Sequence, residues 1–166
     1  MSKTFVAVLM GSKSDLPVME KTLGVLKDLG VPFEVKITSA HRTPQATHDY
    51  VQDAEARGCR VFICAAGLAA HLAGAVAGIT TRPVIGVPMN GALDGMDSLL
   101  STVQMPGGVP VACVAIGSAG AKNAAYLAAQ ILGVADATIA ERVKAERQAG
   151  AEAVQAADAE LQASLS

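Results

Sequence analysis

The alternation of two kinds of segment constrains this chain most. Short apolar, β-rich runs recur between stretches with helical spacing along 166 residues. Phe5-Val6-Ala7-Val8-Leu9-Met10 is continuously apolar, as a strand buried on both faces requires. Gly11 to Asp15 breaks that run, and Leu16, Met19, Leu23 and Leu26 follow at helical spacing, with Gly30 as the stop. Phe33, Val35 and Ile37 alternate with Glu34 and Lys36, which predicts a strand exposed on one face and nearer the sheet edge. Thr43-Pro44 reads as an N-cap and a first-turn proline, opening a helix that runs to Arg57 and ends at Gly58.

The same grammar continues. Residues 61–65 predict a third strand, followed by a small-residue loop and a helix over 69–77. A fourth strand is predicted at 84–87, and a Gly- and Pro-rich connection over 88–110 carries a short helix near 96–100. Long connections of this kind are often functional. Residues 111–116 predict a fifth strand and 121–132 a further helix. From 135 to 166 the chain is rich in Ala, Glu and Gln, helical in character and too polar for the core. It is expected to pack on a neighbouring subunit or to project, with Gly150 as a candidate kink.

Repeated βα units imply a parallel sheet with helices on both faces, here as a single α/β domain over 1–166 with an extra C-terminal helix. In such sheets ligands bind beyond the carboxyl ends of the strands, near the point where strand order reverses. The loops that follow the strands are therefore where function is to be sought.

Composition narrows the ligand. The formal net charge is -2 and aromatics make up 3% of the chain, so it lacks the cationic and stacking footprint of nucleic-acid binding. A small anion remains open, since one Arg and a few amides can hold a phosphate. Cys59, Cys64 and Cys113 form no C-x-x-C pair, so neither a disulfide frame nor a zinc site is indicated. Cys64 and Cys113 lie in apolar runs and read as core residues. No stretch reaches the roughly 18 apolar residues of a membrane span, and residues 1–10 carry no secretory pattern. A reducing cytoplasm is the expected compartment.

After the first strand, Gly11-Ser12-Lys13-Ser14-Asp15 offers small residues, hydroxyls and a helix start, a natural anion cradle. It matches neither the Walker A loop nor G-x-G-x-x-G. Asp15 would repel a phosphate but suits a sugar diol; it reads equally as a cap for the helix at Leu16-Pro17. After the second strand, Ser39-Ala40-His41-Arg42 sets a group able to move protons near neutrality beside a permanent cation. His41 reads either as a proton carrier or as a solvated loop histidine. After the third strand, the small residues around Ala66 and Gly67 permit close backbone approach to a flat ligand. His71 lies among apolar residues and reads as a buried structural histidine, while His48 reads as exposed on the second helix. No metal cluster is visible. The residues alone describe an α/β enzyme or binding domain for a small phosphorylated, nucleotide-like ligand.

Longer runs carry a resemblance. Met10-Gly11-Ser12-Lys13-Ser14-Asp15, Ser39-Ala40-His41-Arg42-Thr43-Pro44, Ala69-Ala70-His71-Leu72, Gly86-Val87-Pro88, Asp97-Ser98-Leu99, Val103-Gln104-Met105-Pro106-Gly107-Gly108-Val109-Pro110 and Asn123-Ala124-Ala125 occur in this order. Together, over about residues 4–145, they resemble the PurE family, the class I N5-carboxyaminoimidazole ribonucleotide mutases of purine (IMP) biosynthesis. The resemblance implies a three-layer flavodoxin-like fold and a homo-octamer with sites between subunits. It implies conversion of N5-carboxyaminoimidazole ribonucleotide to 4-carboxy-5-aminoimidazole ribonucleotide by decarboxylation and recarboxylation, without metal, biotin or ATP. A separate ATP-dependent synthetase would supply the substrate.

Carried over by position, the resemblance makes His41 the general acid and base. It makes Ser12 and Arg42 anion contacts and Asp15 a ribose contact. Gly11, Ser14 and Ser39 line the same site. Ala66, Gly67 and Leu72 become walls for carbon dioxide, and His71 a neighbour of the site. The family pattern has Gly at the place of Leu68 and Pro at that of Ala73, so wall bulk and a loosened turn are expected there. Two other readings compete: a class II carboxylase acting on aminoimidazole ribonucleotide with carbon dioxide directly, and a non-catalytic flavodoxin-like nucleotide-binding module. Arg42 and the Ala-Ala-His-Leu run are class I features.

Overall fold

The computed structural model describes residues 4–165; residues 1–3 and 166, the ends of the expected 1–166 domain, lie outside the described residues. Strand β1, Phe5–Met10, is buried along its whole length. It pairs in parallel with β2, Phe33–Ile37, on one side and β3, Cys59–Ala66, on the other. Beyond β3 come β4, Val84–Pro88, and β5, Ala112–Cys113, also parallel. The five-stranded order is β2-β1-β3-β4-β5, the flavodoxin-like arrangement, whose reversal falls between β1 and β3.

Because side chains alternate across a strand, a sheet covered on both faces builds two cores. On one face Val6, Val8 and Met10 of β1 and Ile63 of β3 meet Met19 and Leu26 of α1, Leu16–Asp28, and Ala124 and Ala128 of α5, Gly117–Gly133. On the other, Ala7, Leu9, Phe62 and Cys64 meet Val51 and Ala54 of α2, Pro44–Arg57, and Leu72 and Val76 of α3, Leu72–Ala77. The three layers follow from these two clusters. The buried stripe of α5 is Gly120, Ala121, Ala124, Ala125, Ala128 and Ala129, so the helix backbone approaches its neighbours closely. At Gly120 an added Cβ would stand 2.1 Å from the Ala115 carbonyl oxygen. Thr22, buried in α1, donates its hydroxyl to the Ala121 carbonyl at 2.7 Å, a tie of about 1 kcal/mol between the two helices.

Gly30 and Gly58 stand at φ 64° and 110°, so the helix stops placed at these glycines rest on left-handed backbone. Strand β2 is one edge of the sheet, with Val35 and Ile37 exposed. Several boundaries differ from the sequence reading. Helix α3 begins at Leu72, not 69, because Leu68 turns the chain at φ 57° and the Ala70 N–H is taken by the Ser101 hydroxyl. Strand β5 has two residues instead of 111–116. The Val114 carbonyl accepts from Asn123, and α5 opens at Gly117, so the chain leaves the sheet early. Helix α4 extends over Met96–Val103.

Thr43 does not cap α2 with its side chain; its hydroxyl instead accepts the Ser39 N–H at 2.9 Å and closes the preceding loop. Helix α6, Ala137–Leu165, passes through Gly150 without a break. It starts where Asp136 accepts the N–H groups of Thr138 and Ile139. Ile139 is its only buried residue, in keeping with the polar composition of this segment. Cys59 and Cys64 are buried, whereas Cys113 is only half-buried. Among the described residues no helix is long and apolar enough to cross a membrane.

Candidate active site

The loops after β1, β2 and β3 meet above the strand reversal and enclose a cleft of about 500 Å³. Gly11, Ser12, Ser14 and Asp15 come from the first loop, Ser39, His41 and Arg42 from the second, and Ala66, Gly67, His71 and Leu72 from the third. Every candidate named from the sequence thus lines one cavity. His48 stays half-exposed on α2 and is not among the lining residues.

The first loop is more closed than its composition predicts. Residues Lys13–Asp15 form a single 3-10 turn with a reciprocal capping box. The Ser12 N–H donates to Asp15 Oδ2 at 3.0 Å, and the Ser14 N–H and hydroxyl both point at Ser12 Oγ, at 3.3 and 2.9 Å. With the Gly11 N–H on the Ala65 carbonyl and the Asp15 N–H on the Ser12 carbonyl, four amides of the expected cradle are already satisfied, and an anion here would be met by hydroxyls and by Arg42. Asp15 makes no side-chain cap to α1, which corrects one of its two readings; its carboxylate folds back on Ser12. Partial burial pushes the Asp15 pKa up, and the Ser12 N–H pulls the other way.

The second loop is tied to the first by Arg42. Its Nη2 donates to the Gly11 carbonyl at 3.0 Å, and its backbone N–H donates to Ser39 Oγ at 3.1 Å. The guanidinium has five N–H donors, so most of the fork stays free for a ligand. His41 Nε2 lies 2.8 Å from His71 Nδ1, with the rings edge-on at 83°. A bond of that length needs one proton between the two nitrogens, so one ring donates and the other accepts. His71 is exposed rather than buried among its apolar neighbours. His71 stands just before α3, whose buried face is Leu72, Ala73 and Val76, so its ring is left outside the core.

The third loop is held close to the loop after β4. The Met89 N–H donates to the Ala66 carbonyl at 2.9 Å, and a Cβ on Gly67 would stand 3.4 Å from Met89 Cβ. Leu68 stands at φ 57°, where a glycine would sit without strain, and its side chain lines the cleft. Ala73, in contrast, lies inside the first turn of α3 and is buried, so no turn is loosened by it. Ala40, Ala69, Met89, Asn90 and Gly91 complete the wall and were not among the sequence candidates. Strand-end logic extended to β4 would have found the last three, since Pro88 ends that strand. Among the described residues no group of His, Cys, Asp or Glu is arranged to hold a metal ion.

Comparison with known proteins places this chain in a family. Residues 5–153 match the sequence model of AIR carboxylase. A protein of Vibrio parahaemolyticus named N5-carboxyaminoimidazole ribonucleotide mutase is 53% identical over 150 residues, covering 90% of this chain and 93% of the relative. The Bacillus subtilis protein of the same name is 53% identical over 144 residues, 86% of this chain and 89% of its own. The crystal structure of Treponema denticola PurE superposes with a TM-score of 0.86 at 33% identity, covering 95% of this chain and 98% of that one.

Proposed function

The chain belongs to the AIR carboxylase family, and from that premise we propose how its cleft works. It is an enzyme of purine biosynthesis, an N5-carboxyaminoimidazole ribonucleotide mutase that yields 4-carboxy-5-aminoimidazole ribonucleotide. The observation that carries the site assignment is the exposed His41 imidazole, hydrogen-bonded to His71 at the reversal of the sheet.

The reaction needs few groups. The carbamate C–N bond breaks, its electron pair stays on the exocyclic nitrogen, and His41 supplies the proton that nitrogen takes up. Carbon dioxide is freed beside the imidazole. The ring carbon then bonds to it, and the ring proton passes back to His41. The proton count closes on one imidazole, which gives a proton in the first step and takes one in the second. Arg42, with Ser12, meets the phosphate or carboxylate. Asp15 accepts from the ribose hydroxyls, and Ser14, Ser39, Gly11 and His71 shape the same wall. Ala66, Gly67 and Leu72 form the dry side that holds carbon dioxide, and Leu72 is buried there.

The protein works as a homo-octamer in the cytoplasm, on substrate made by a separate ATP-dependent synthetase. Exposed Met96, Leu100 and Val103 on α4 and Val154 and Leu161 on α6 support subunit contacts, with α6 packing on neighbouring subunits. The test is turnover of purified protein and of His41→Asn on N5-carboxyaminoimidazole ribonucleotide. Substitution is expected to leave binding intact and lower turnover by at least about a hundredfold. Turnover of aminoimidazole ribonucleotide with bicarbonate, and none of the N5-carboxy compound, would exclude the mutase reading.

A further inference from the structure

Ala70 stands one residue before His71 and is 1% exposed. A buried backbone N–H needs an acceptor, because an unpaired one costs the whole desolvation of the group. The Ala70 N–H finds its acceptor outside its own loop, at Ser101 Oγ of α4, 3.0 Å away. The Ser101 hydroxyl has one proton, and the nearest acceptor for it is the Asp97 carbonyl one turn earlier, at 2.7 Å. That bond ties the side chain to its own helix and leaves the oxygen free to accept.

Ala70 is also the centre of a tight turn. The His71 N–H donates to the Ala69 carbonyl at 2.9 Å, and the His71 carbonyl accepts the Ala75 N–H at 2.9 Å as α3 opens. From the other side the Thr102 hydroxyl, shared with the Ser98 carbonyl at 2.7 Å, donates to the Ala70 carbonyl at 3.1 Å. Helix α4 is itself seated closely on β4 at Gly86, where a Cβ would stand 2.4 Å from Thr102 Cγ2.

We propose that Ser101 is a positioning residue for the reaction. By holding the Ala70 N–H it fixes where the His71 ring stands, and through the 2.8 Å contact between the rings it fixes His41. The proposal rests on the mutase reading with His41 as its proton carrier, and goes beyond it by tracing the aim of that ring to the helix after β4. Ser101 is not among the residues that line the cleft, so it acts through the loop and not on the substrate. Without its hydroxyl the Ala70 N–H turns towards another acceptor or towards water, and His71, the next residue, turns with it.

The test is a double-mutant cycle on the full chain with N5-carboxyaminoimidazole ribonucleotide as substrate. Wild type, Ser101→Ala, His71→Leu and the double variant are compared at substrate concentrations spanning KM, each under conditions where urea unfolding shows it folded. Ser101→Ala is expected to lower kcat about threefold, the effect of one hydrogen bond, and to leave KM within about twofold of wild type. Residues that act in series do not add, so in the His71→Leu background the same substitution is expected to change kcat by less than about 1.5-fold. Ser101→Thr, which keeps an oxygen at that place, is expected to return kcat to the wild-type value. Equal falls in both backgrounds would overturn the proposal, since Ser101 would then act by a route other than His71. So would a raised KM with kcat unchanged, the mark of a binding residue, and so would an unchanged kcat in Ser101→Ala. A wild-type chain that forms no 4-carboxy product would overturn the mutase reading and the proposal together, whereas wild-type turnover with equal falls would overturn the proposal alone.

Discussion

Replacing His71 by leucine separates what the histidine pair does for stability from what it does for turnover. His41 Nε2 and His71 Nδ1 are 2.8 Å apart, but both residues are exposed. Water can replace either partner, so the bond adds little to folding, and an exposed substitution of this kind is expected to change stability by no more than about 0.5 kcal/mol. Turnover is another matter. The bond holds the His41 ring edge-on to its partner at 83°, and without it the ring samples other rotamers. A net hydrogen-bond worth of about 0.5–1.5 kcal/mol, lost from the reactive arrangement alone, corresponds to a fall of roughly two- to tenfold in kcat. Urea unfolding and initial rates on the N5-carboxy substrate measure the two quantities on one preparation. A fall of a hundredfold or more would mean that His71 itself carries a proton. No fall at all would mean that His41 is oriented without it. Either result refutes the orienting argument, as would a large loss of stability.

Two further predictions concern the scaffold. Gly120→Ala places a Cβ 2.1 Å from the Ala115 carbonyl oxygen and 2.8 Å from its carbon, both backbone atoms that cannot swing aside. Destabilisation of about 1–3 kcal/mol is expected, at the upper end because both atoms are backbone, read as a lowered urea midpoint or loss of soluble protein; a near-normal midpoint would contradict the packing of α5. Glu34 is held below the usual carboxylate range, first by hydrogen bonds from Arg57 and then, against the opposing effect of burial, by the charge of Arg57 and the Tyr50 hydroxyl. A depressed folded pKa adds stability that is present above the unfolded value, roughly pH 4.3, and is lost as pH falls through the depressed value. Glu34→Gln is expected to flatten that acid limb of the Tm profile, by a small amount because the pair is largely exposed. An unchanged acid limb would show that the pair contributes nothing.

The parallel sheet was legible because its signal is redundant. Runs such as 5–10 cannot be buried on both faces unless helices cover them, and the helix stops fell on Gly30 and Gly58, where the backbone is left-handed. The candidate cleft was legible as well: the rule that ligands sit beyond strand ends gathered Gly11, Ser39, His41, Ala66 and their neighbours, and they line one cavity. What escaped was contact between loops. Nothing in the sequence places His71 against His41, because that distance depends on how two loops from different strands meet. The start of α3 escaped for a related reason. A leucine gives no sign that it will turn at φ 57°, and the hydroxyls nearest this turn, Ser101 by the Leu68 carbonyl and Thr102 by the Ala70 carbonyl, come from over thirty residues away. The brevity of β5 likewise depends on Asn123 taking the Val114 carbonyl.

The two margins of the sheet have unequal consequences for self-association. At one margin β5 offers two residues, too few for a foreign strand to zip onto. At the other, β2 presents five residues, with Val35 and Ile37 exposed and charged Glu34 and Lys36 interleaved between them. The charges act as gatekeepers on an otherwise sticky selvage. Whatever keeps this chain from assembling edge to edge, in the cell or in a concentrated preparation, is therefore concentrated on that one short strand.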